Sequence, residues 1–91
     1  MYRGKKIALT AMTLNEERLI GPTLESVPDL IDHVYIVDDG STDKTCEIVR
    51  QYAQNDPRIE LIVHERNMGV GQTIITGYSR SSADGYDITE S

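Results

Sequence analysis

The stretch His33 to Glu47, HVYIVDDGSTDKTCE, decides the fold. An apolar run, Val34 to Val37, stops at two adjacent carboxylates, Asp38 and Asp39. Gly40 permits a tight turn, and Ser41 or Thr42 can cap a helix expected from Asp43 to Gln54. Cys46, Ile48, Val49, Tyr52 and Ala53 then recur at helical spacing. A buried strand that ends in carboxylates points them into the crevice where open α/β sheets bind ligands. Strand residues alternate faces, so the two carboxylates should diverge, one into the crevice and the other into support of a loop.

Working outward, Ile7 to Met12 is an apolar run of strand length, short enough to be buried on both faces. Asn15 is a candidate helix cap, with Glu16 and Glu17 at the positive end of the dipole. Gly21-Pro22 breaks the pattern, which predicts one loose turn and then a helix with Pro22 at its first position and Pro28 marking its end. On the other side, Asn55-Asp56-Pro57 is a stop, Ile59 to Val63 a third strand, and His64 to Asn67 a polar connection. Gly69-Val70-Gly71 opens a third helix ending near Ser81 or Ser82, and Tyr86, Asp87 and Ile88 begin a fourth strand. This alternation predicts a three-layer α/β/α fold on a parallel sheet, Rossmann-like, with right-handed crossovers and no internal domain boundary.

Composition narrows the function. Fifteen acidic against nine basic residues give a net charge of -6, and the basic residues are scattered, which argues against binding a nucleic-acid backbone. With no Trp or Phe, the core must come from Ile, Val, Leu and Met. Cys46 stands alone, so neither a disulfide framework nor a multi-cysteine zinc pattern exists, and it reads as a small residue on a helix face. No run approaches the ~20 apolar residues of a membrane span, and the N-terminus is too short in apolar residues for a secretory signal. The expected location is the cytoplasm. His33, without an evident partner, reads as a surface residue.

Three segments compete for the chemistry. Asp38 and Asp39 can coordinate a hard cation, accept hydrogen bonds from a base or ribose, or serve the following helix, the last being the expected role of Asp43. Asn67-Met68-Gly69-Val70-Gly71-Gln72 can bring backbone amides to an anion. It is not the dinucleotide fingerprint, because Ile74 occupies the third glycine position and the motif follows the third strand. Asn15-Glu16-Glu17 is the third. All three follow successive parallel strands at one edge of the sheet, where a nucleotide is expected.

Taken together, Leu14-Asn15-Glu16-Glu17, Ile20-Gly21-Pro22-Thr23-Leu24-Glu25-Ser26-Val27, Val37-Asp38-Asp39-Gly40-Ser41-Thr42-Asp43 and Asn67-x-Gly69-x-Gly71 with Gly77-Tyr78 resemble the N-terminal part of a family 2 glycosyltransferase. The subgroup they resemble is the dolichyl-phosphate or polyprenyl-phosphate sugar transferases of the GT-A fold. The resemblance covers nearly the whole chain. It implies a nucleotide-diphosphate sugar donor, a UDP- or GDP-sugar, and an acceptor such as polyprenyl phosphate, met at a membrane periphery. It places Met12, Leu14 and Glu16 at the nucleoside, makes Asp39 an acceptor for the base and Asp38 a loop or ribose support, and sets Arg66, Asn67, Gly69 and Gly71 beside the nucleotide. Two departures are Met12, where the family often has proline, and Thr73, where it often has a small alanine.

The resemblance also implies a fourth strand ending in an Asp-x-Asp motif that holds a divalent cation, Mg or Mn. This sequence ends at Tyr86-Asp87-Ile88-Thr89-Glu90-Ser91 without that motif. The expectation is therefore a partial domain, 1–91, holding the nucleotide-binding half of the enzyme, with no metal and no catalytic residue of its own and inactive by itself. The alternatives are a non-catalytic nucleotide-binding module and a dimerising structural remnant. With its fourth strand cut short, the first strand should keep an open apolar edge and drive self-association.

Overall fold

The computed structural model describes residues 2–90. Its elements are β1 (Ile7–Thr13), α1 (Ile20–Glu25), β2 (His33–Asp38), α2 (Thr45–Asn55), β3 (Ile59–Val63), α3 (Val70–Ala83) and β4 (Ile88–Glu90). The four strands form one sheet in the order β3-β2-β1-β4, every pair parallel. β2 is one of the two inner strands, and its Val34, Tyr35, Ile36 and Val37 are all buried. A strand covered on both faces needs apolar side chains at consecutive positions, which is why this run does not alternate with polar residues.

The two faces are covered by different helices. Ile7, Val34, Ile36 and Ile59 of the sheet pack with Ile20 and Leu24 of α1 and Val49 of α2 in the main core cluster. α3 lies on the opposite face, where Thr10 of β1 stands so close to Gly77 that a Cβ there would come within 3.1 Å of the Thr10 Cβ. Tyr35 points to that same side and donates its hydroxyl to Asp84 Oδ2, just past α3, at 2.5 Å. The register aligns Thr13 with Asp38 and Asp38 with Val63, so β1, β2 and β3 end level with one another.

Three of the boundaries that differ from the sequence reading have a plain physical reason. α1 begins at Ile20, so Pro22 is its third residue and not its first. The third position is still free of an intrahelical N–H bond, and Thr23 is the first residue after it to close one, onto Leu19 O at 3.0 Å. α2 begins at Thr45 with no side-chain cap from Ser41 or Thr42, because both are engaged elsewhere. β4 begins at Ile88, because the Tyr86 amide still bonds Ser81 O at the end of α3 and Asp87 N bonds Lys6 O.

The expectation of a wholly open edge on β1 does not hold. β4 pairs with it through Ile7, Ala8 and Leu9, so the premise for edge-driven self-association fails at that end of the strand. Among the described residues no helix is long and apolar enough to cross a membrane.

Candidate functional site

The turn after β2 organises the level ends of the strands. Asp38 is completely buried, and its Oδ2 accepts the amides of Gly40 at 3.2 Å and Ser41 at 2.9 Å, while Oδ1 accepts the Ser41 hydroxyl. This carboxylate is turned back on its own loop. Asp39, only 2% exposed, goes the other way and accepts three donors from the segment after β3: Met68 N at 2.8 Å, Gly69 N at 3.0 Å and His64 Nδ1 at 3.2 Å. The Met68 amide, with help from His64 and Gly69 and against the opposing effect of burial, holds the Asp39 carboxyl below the usual carboxylate range.

The loop after β1 is bound to the same turn. Asn15 adopts φ 53°, a left-handed conformation that asparagine tolerates better than most residues. In that pose its amide donates to Ser41 Oγ at 2.9 Å, and its Oδ1 accepts the Thr42 amide at 2.8 Å. Asn15 therefore joins two loops and does not cap a helix. The next two amides continue the seam, Glu16 N to Thr45 Oγ1 at 2.9 Å and Glu17 N to Asp43 Oδ2 at 3.3 Å. Asp43 Oδ1 also accepts the Thr45 hydroxyl and, at 2.9 Å, the Thr45 amide at the start of α2, and the hydroxyl contact leads in lowering its pKa.

The third segment closes on the turn by contact as well as by hydrogen bonds. Gly40 has φ +92°, and a Cβ there would stand 3.1 Å from Asn67 N and 3.3 Å from Arg66 C. Gly69, at φ 90° and ψ 162°, occupies a region open essentially to glycine alone, and its amide is shared between Asp39 and Asn67 Oδ1, 3.0 Å from each. α3 begins at the next residue, Val70.

The structure brings the residues singled out from the sequence to one edge, with different exposures. Met12, Leu14, Glu16, Arg66, Asn67 and Gly71 are exposed, whereas Asp38 and Asp39 are buried. Met12 stands beside an apolar cavity of about 260 Å³ with Val37, Val70, Thr73, Ile74 and Tyr78. Thr73 is buried there and donates its hydroxyl to Val70 O at 2.7 Å. A second hollow, about 390 Å³, lies over Asn15, Glu16, Glu17, Arg18, Leu19 and Asp43. The first suits a flat apolar ring, and the second is dominated by carboxylates.

A divalent cation has no evident seat in this set. Among the described residues no three His, Cys, Asp or Glu side chains gather to hold a metal ion, and Asp38 and Asp39 point apart with their oxygens engaged. Cys46 sits half-buried beside Asp38, and burial followed by that carboxylate pushes its thiol up to about 11, which makes it a poor nucleophile.

Two histidines carry contacts that the sequence reading did not foresee. His33 lies 3.1 Å from Glu60 Oε1 and stacks on Tyr86, at the end of the sheet remote from the site. His64 lies within the site, between Asp39 and Thr76 of α3. Its position directly after an apolar strand was the available signal, since the residue leaving β3 must lie level with the end of β2.

Comparison with known proteins identifies the family and the fold. Residues 11–88 match the family described as Glycosyl transferase family 2. A dolichyl-phosphate beta-glucosyltransferase, ALG5C, of Trichomonas vaginalis is 32% identical over 81 residues, 77% of this chain and 24% of that protein. A UDP-N-acetylglucosamine–dolichyl-phosphate N-acetylglucosaminyltransferase of Methanococcus voltae is 32% identical over 97 aligned positions, 92% of this chain and 39% of that protein. Among solved structures, the mannosyltransferase PcManGT of Pyrobaculum calidifontis, in complex with GDP-Man and Mn2+, superposes with a TM-score of 0.72 at 26% identity, over 84% of this chain and 24% of that one. The chain thus spans well under half the length of each. It belongs to glycosyl transferase family 2 and has the α/β architecture of a GT-A enzyme.

Proposed function

We propose that this member of glycosyl transferase family 2 supplies the nucleotide-binding part of an enzyme that moves a sugar from a nucleoside-diphosphate sugar to an acceptor. The observation that carries the reading is the convergence of three loops on the turn after β2, through Asn15 with Ser41 and Thr42 and through Asp39 with Met68 and Gly69. That convergence lies at the carboxyl ends of parallel strands, the place where such sheets bind nucleotides.

In this reading the base enters along Met12 and Leu14 toward Asp39, whose ionised carboxylate offers an acceptor to a base N–H. Glu16 stands at the ribose. Arg66, Asn67, Gly69 and Gly71 line the approach to the diphosphate, where Arg66 offers a positive charge. Asp38 holds the turn in shape. The similar dolichyl-phosphate transferases support a polyprenyl-phosphate acceptor, and a relative acting with UDP-N-acetylglucosamine together with a neighbour holding GDP-Man supports a UDP- or GDP-sugar donor. A divalent cation, Mg2+ or Mn2+, would neutralise the leaving diphosphate. The described residues do not form its site.

Calorimetric titration with uridine and guanosine diphosphates, each with Mg2+ or Mn2+, tests the reading. Saturable binding of one nucleotide in preference to the other is expected. No heat with either would overturn it.

A further inference from the structure

The hydrogen bonds already made at the turn after β2 limit what a base can find there. An ionised carboxylate has about four lone-pair positions, shared equally by its oxygens. Asp39 Oδ1 accepts the Met68 amide at 2.8 Å and faces His64 Nδ1 at 3.2 Å. With an amide on each of its oxygens the carboxylate is an acceptor, so that ring nitrogen donates to it whether the ring is neutral or charged. Oδ2 accepts the Gly69 amide alone, at 3.0 Å. Oδ1 is therefore filled, and Oδ2 keeps one open position. The Asp39 side chain is 3% exposed, so that position is reached through a narrow opening.

Asn67 completes the edge. The Gly69 amide lies 3.0 Å from Asn67 Oδ1 as well, so Asp39 and Asn67 meet on one N–H. With its oxygen turned onto that amide, Asn67 has its NH2 left to present, and an NH2 can only donate. Arg66, its exposed neighbour in the chain, is likewise a donor only. The other carboxylates of the turn are engaged, Asp38 by Gly40 and Ser41 and Asp43 by Thr45 and Glu17. One acceptor position remains, with donors beside it.

That set complements one kind of base edge. Uracil presents N3–H between two carbonyl oxygens, a single donor with an acceptor on either side. Guanine presents N1–H and its 2-amino group side by side, and that pair calls for a carboxylate with a lone pair free on each oxygen. We propose that the site selects uracil over guanine, with Asp39 Oδ2 accepting N3–H and the Asn67 NH2 donating to a neighbouring carbonyl oxygen, which makes Asn67 a specificity-determining residue. The inference rests on the nucleotide-binding reading above and names its base. Guanine in the same place leaves one N–H without an acceptor, which weakens binding by about 5- to 150-fold.

Calorimetry with the diphosphates of uridine, guanosine and inosine decides it. Inosine has the ring system of guanosine without the 2-amino group, so it presents N1–H alone and separates the number of donors from the size of a purine. Uridine diphosphate should bind about 5- to 150-fold more tightly than guanosine diphosphate. Inosine diphosphate should also bind more tightly than guanosine diphosphate, although it has one group fewer to bond. Guanosine diphosphate binding as tightly as the uridine compound, or more tightly than the inosine compound, would overturn the proposal. Asn67→Asp keeps an oxygen for the Gly69 amide and turns the remaining donor into an acceptor. Its added charge weighs on both diphosphates alike, so the readout is their ratio, and the preference for uridine should fall by at least about 5-fold. An unchanged ratio would refute the part given to Asn67. Absence of binding by all three in the wild type would overturn the nucleotide-binding reading itself, and the choice of base with it.

Discussion

Gly40→Ala tests whether the turn after β2 and the segment after β3 are pressed together as the structure has them. Alanine at φ +92° carries backbone strain of about 1–3 kcal/mol. Its Cβ would also stand 3.1 Å from Asn67 N and 3.3 Å from Arg66 C, both backbone atoms that cannot swing aside as a flexible side chain can. Overpacking of that kind adds about 1–3 kcal/mol. Gly85→Ala is the control, with nearly the same φ, +85°, nothing within 4 Å of its added Cβ and a place outside the site, so it bears backbone strain without the crowding. Against a total stability of about 5–13 kcal/mol for a chain of this length, both effects are measurable. Urea denaturation and thermal melts of the two variants should place Gly40→Ala below Gly85→Ala by about 1–3 kcal/mol, or at least about 4 °C in midpoint. Equal stability, or Gly85→Ala as the weaker protein, would refute the close approach and with it the assembly of the site.

Two further outcomes follow from single buried groups. Thr13 is 2% exposed, and its hydroxyl has no hydrogen-bond partner among the described residues, so Thr13→Val should raise stability by about 1 kcal/mol in urea denaturation; a loss would show that the hydroxyl is bonded after all. Burial, then the Asp84 carboxylate, pushes the Tyr35 phenol above its ordinary range, so its folded-state pKa exceeds its unfolded one. That contribution is complete below about pH 10 and is lost as pH rises beyond it, and Tyr35→Phe should flatten this alkaline decline in part. Since Asp84 is exposed and regains water when the phenol is removed, the variant should lose only about 1–2 kcal/mol at neutral pH.

What the sequence makes legible here is whatever is local in the chain. The apolar run 34–37 specifies a doubly covered strand by itself, and the helical spacing through Val49 and the stop at Asn55-Asp56-Pro57 match α2 to within two residues at its start. Boundaries drift where a rule has more than one solution. Pro22 satisfies the helix at its third position as well as at its first, because neither position has an intrahelical amide bond to lose. Roles are misread where the partner is remote. Asn15 in sequence looks like a cap, but its partners are Ser41 and Thr42, 26 and 27 residues away, and nothing adjacent to it announces them. His64 is the same case, since its chemistry is fixed by Asp39, 25 residues before it, and Thr76, 12 after.

Asp38 and Asp39 show why the edge works as a unit. Adjacent in sequence, they face opposite layers, and each starts a chain of hydrogen bonds that runs outward. From Asp38 the chain passes through the Ser41 hydroxyl to the Asn15 amide and ends on the loop after β1. From Asp39 it passes through His64 to Thr76 on α3, and in parallel through the Met68 and Gly69 amides to the start of that helix. Neither outer loop is held in place by apolar burial, for Leu14, Leu19, Met68 and Val70 are all exposed. Their conformation therefore depends on two buried carboxylates anchored at the end of the best-packed strand in the molecule. A ligand that bonds to Asp39 acts on the same atoms that hold the 66–69 segment, so binding and loop geometry are coupled through one side chain, with no long path between them.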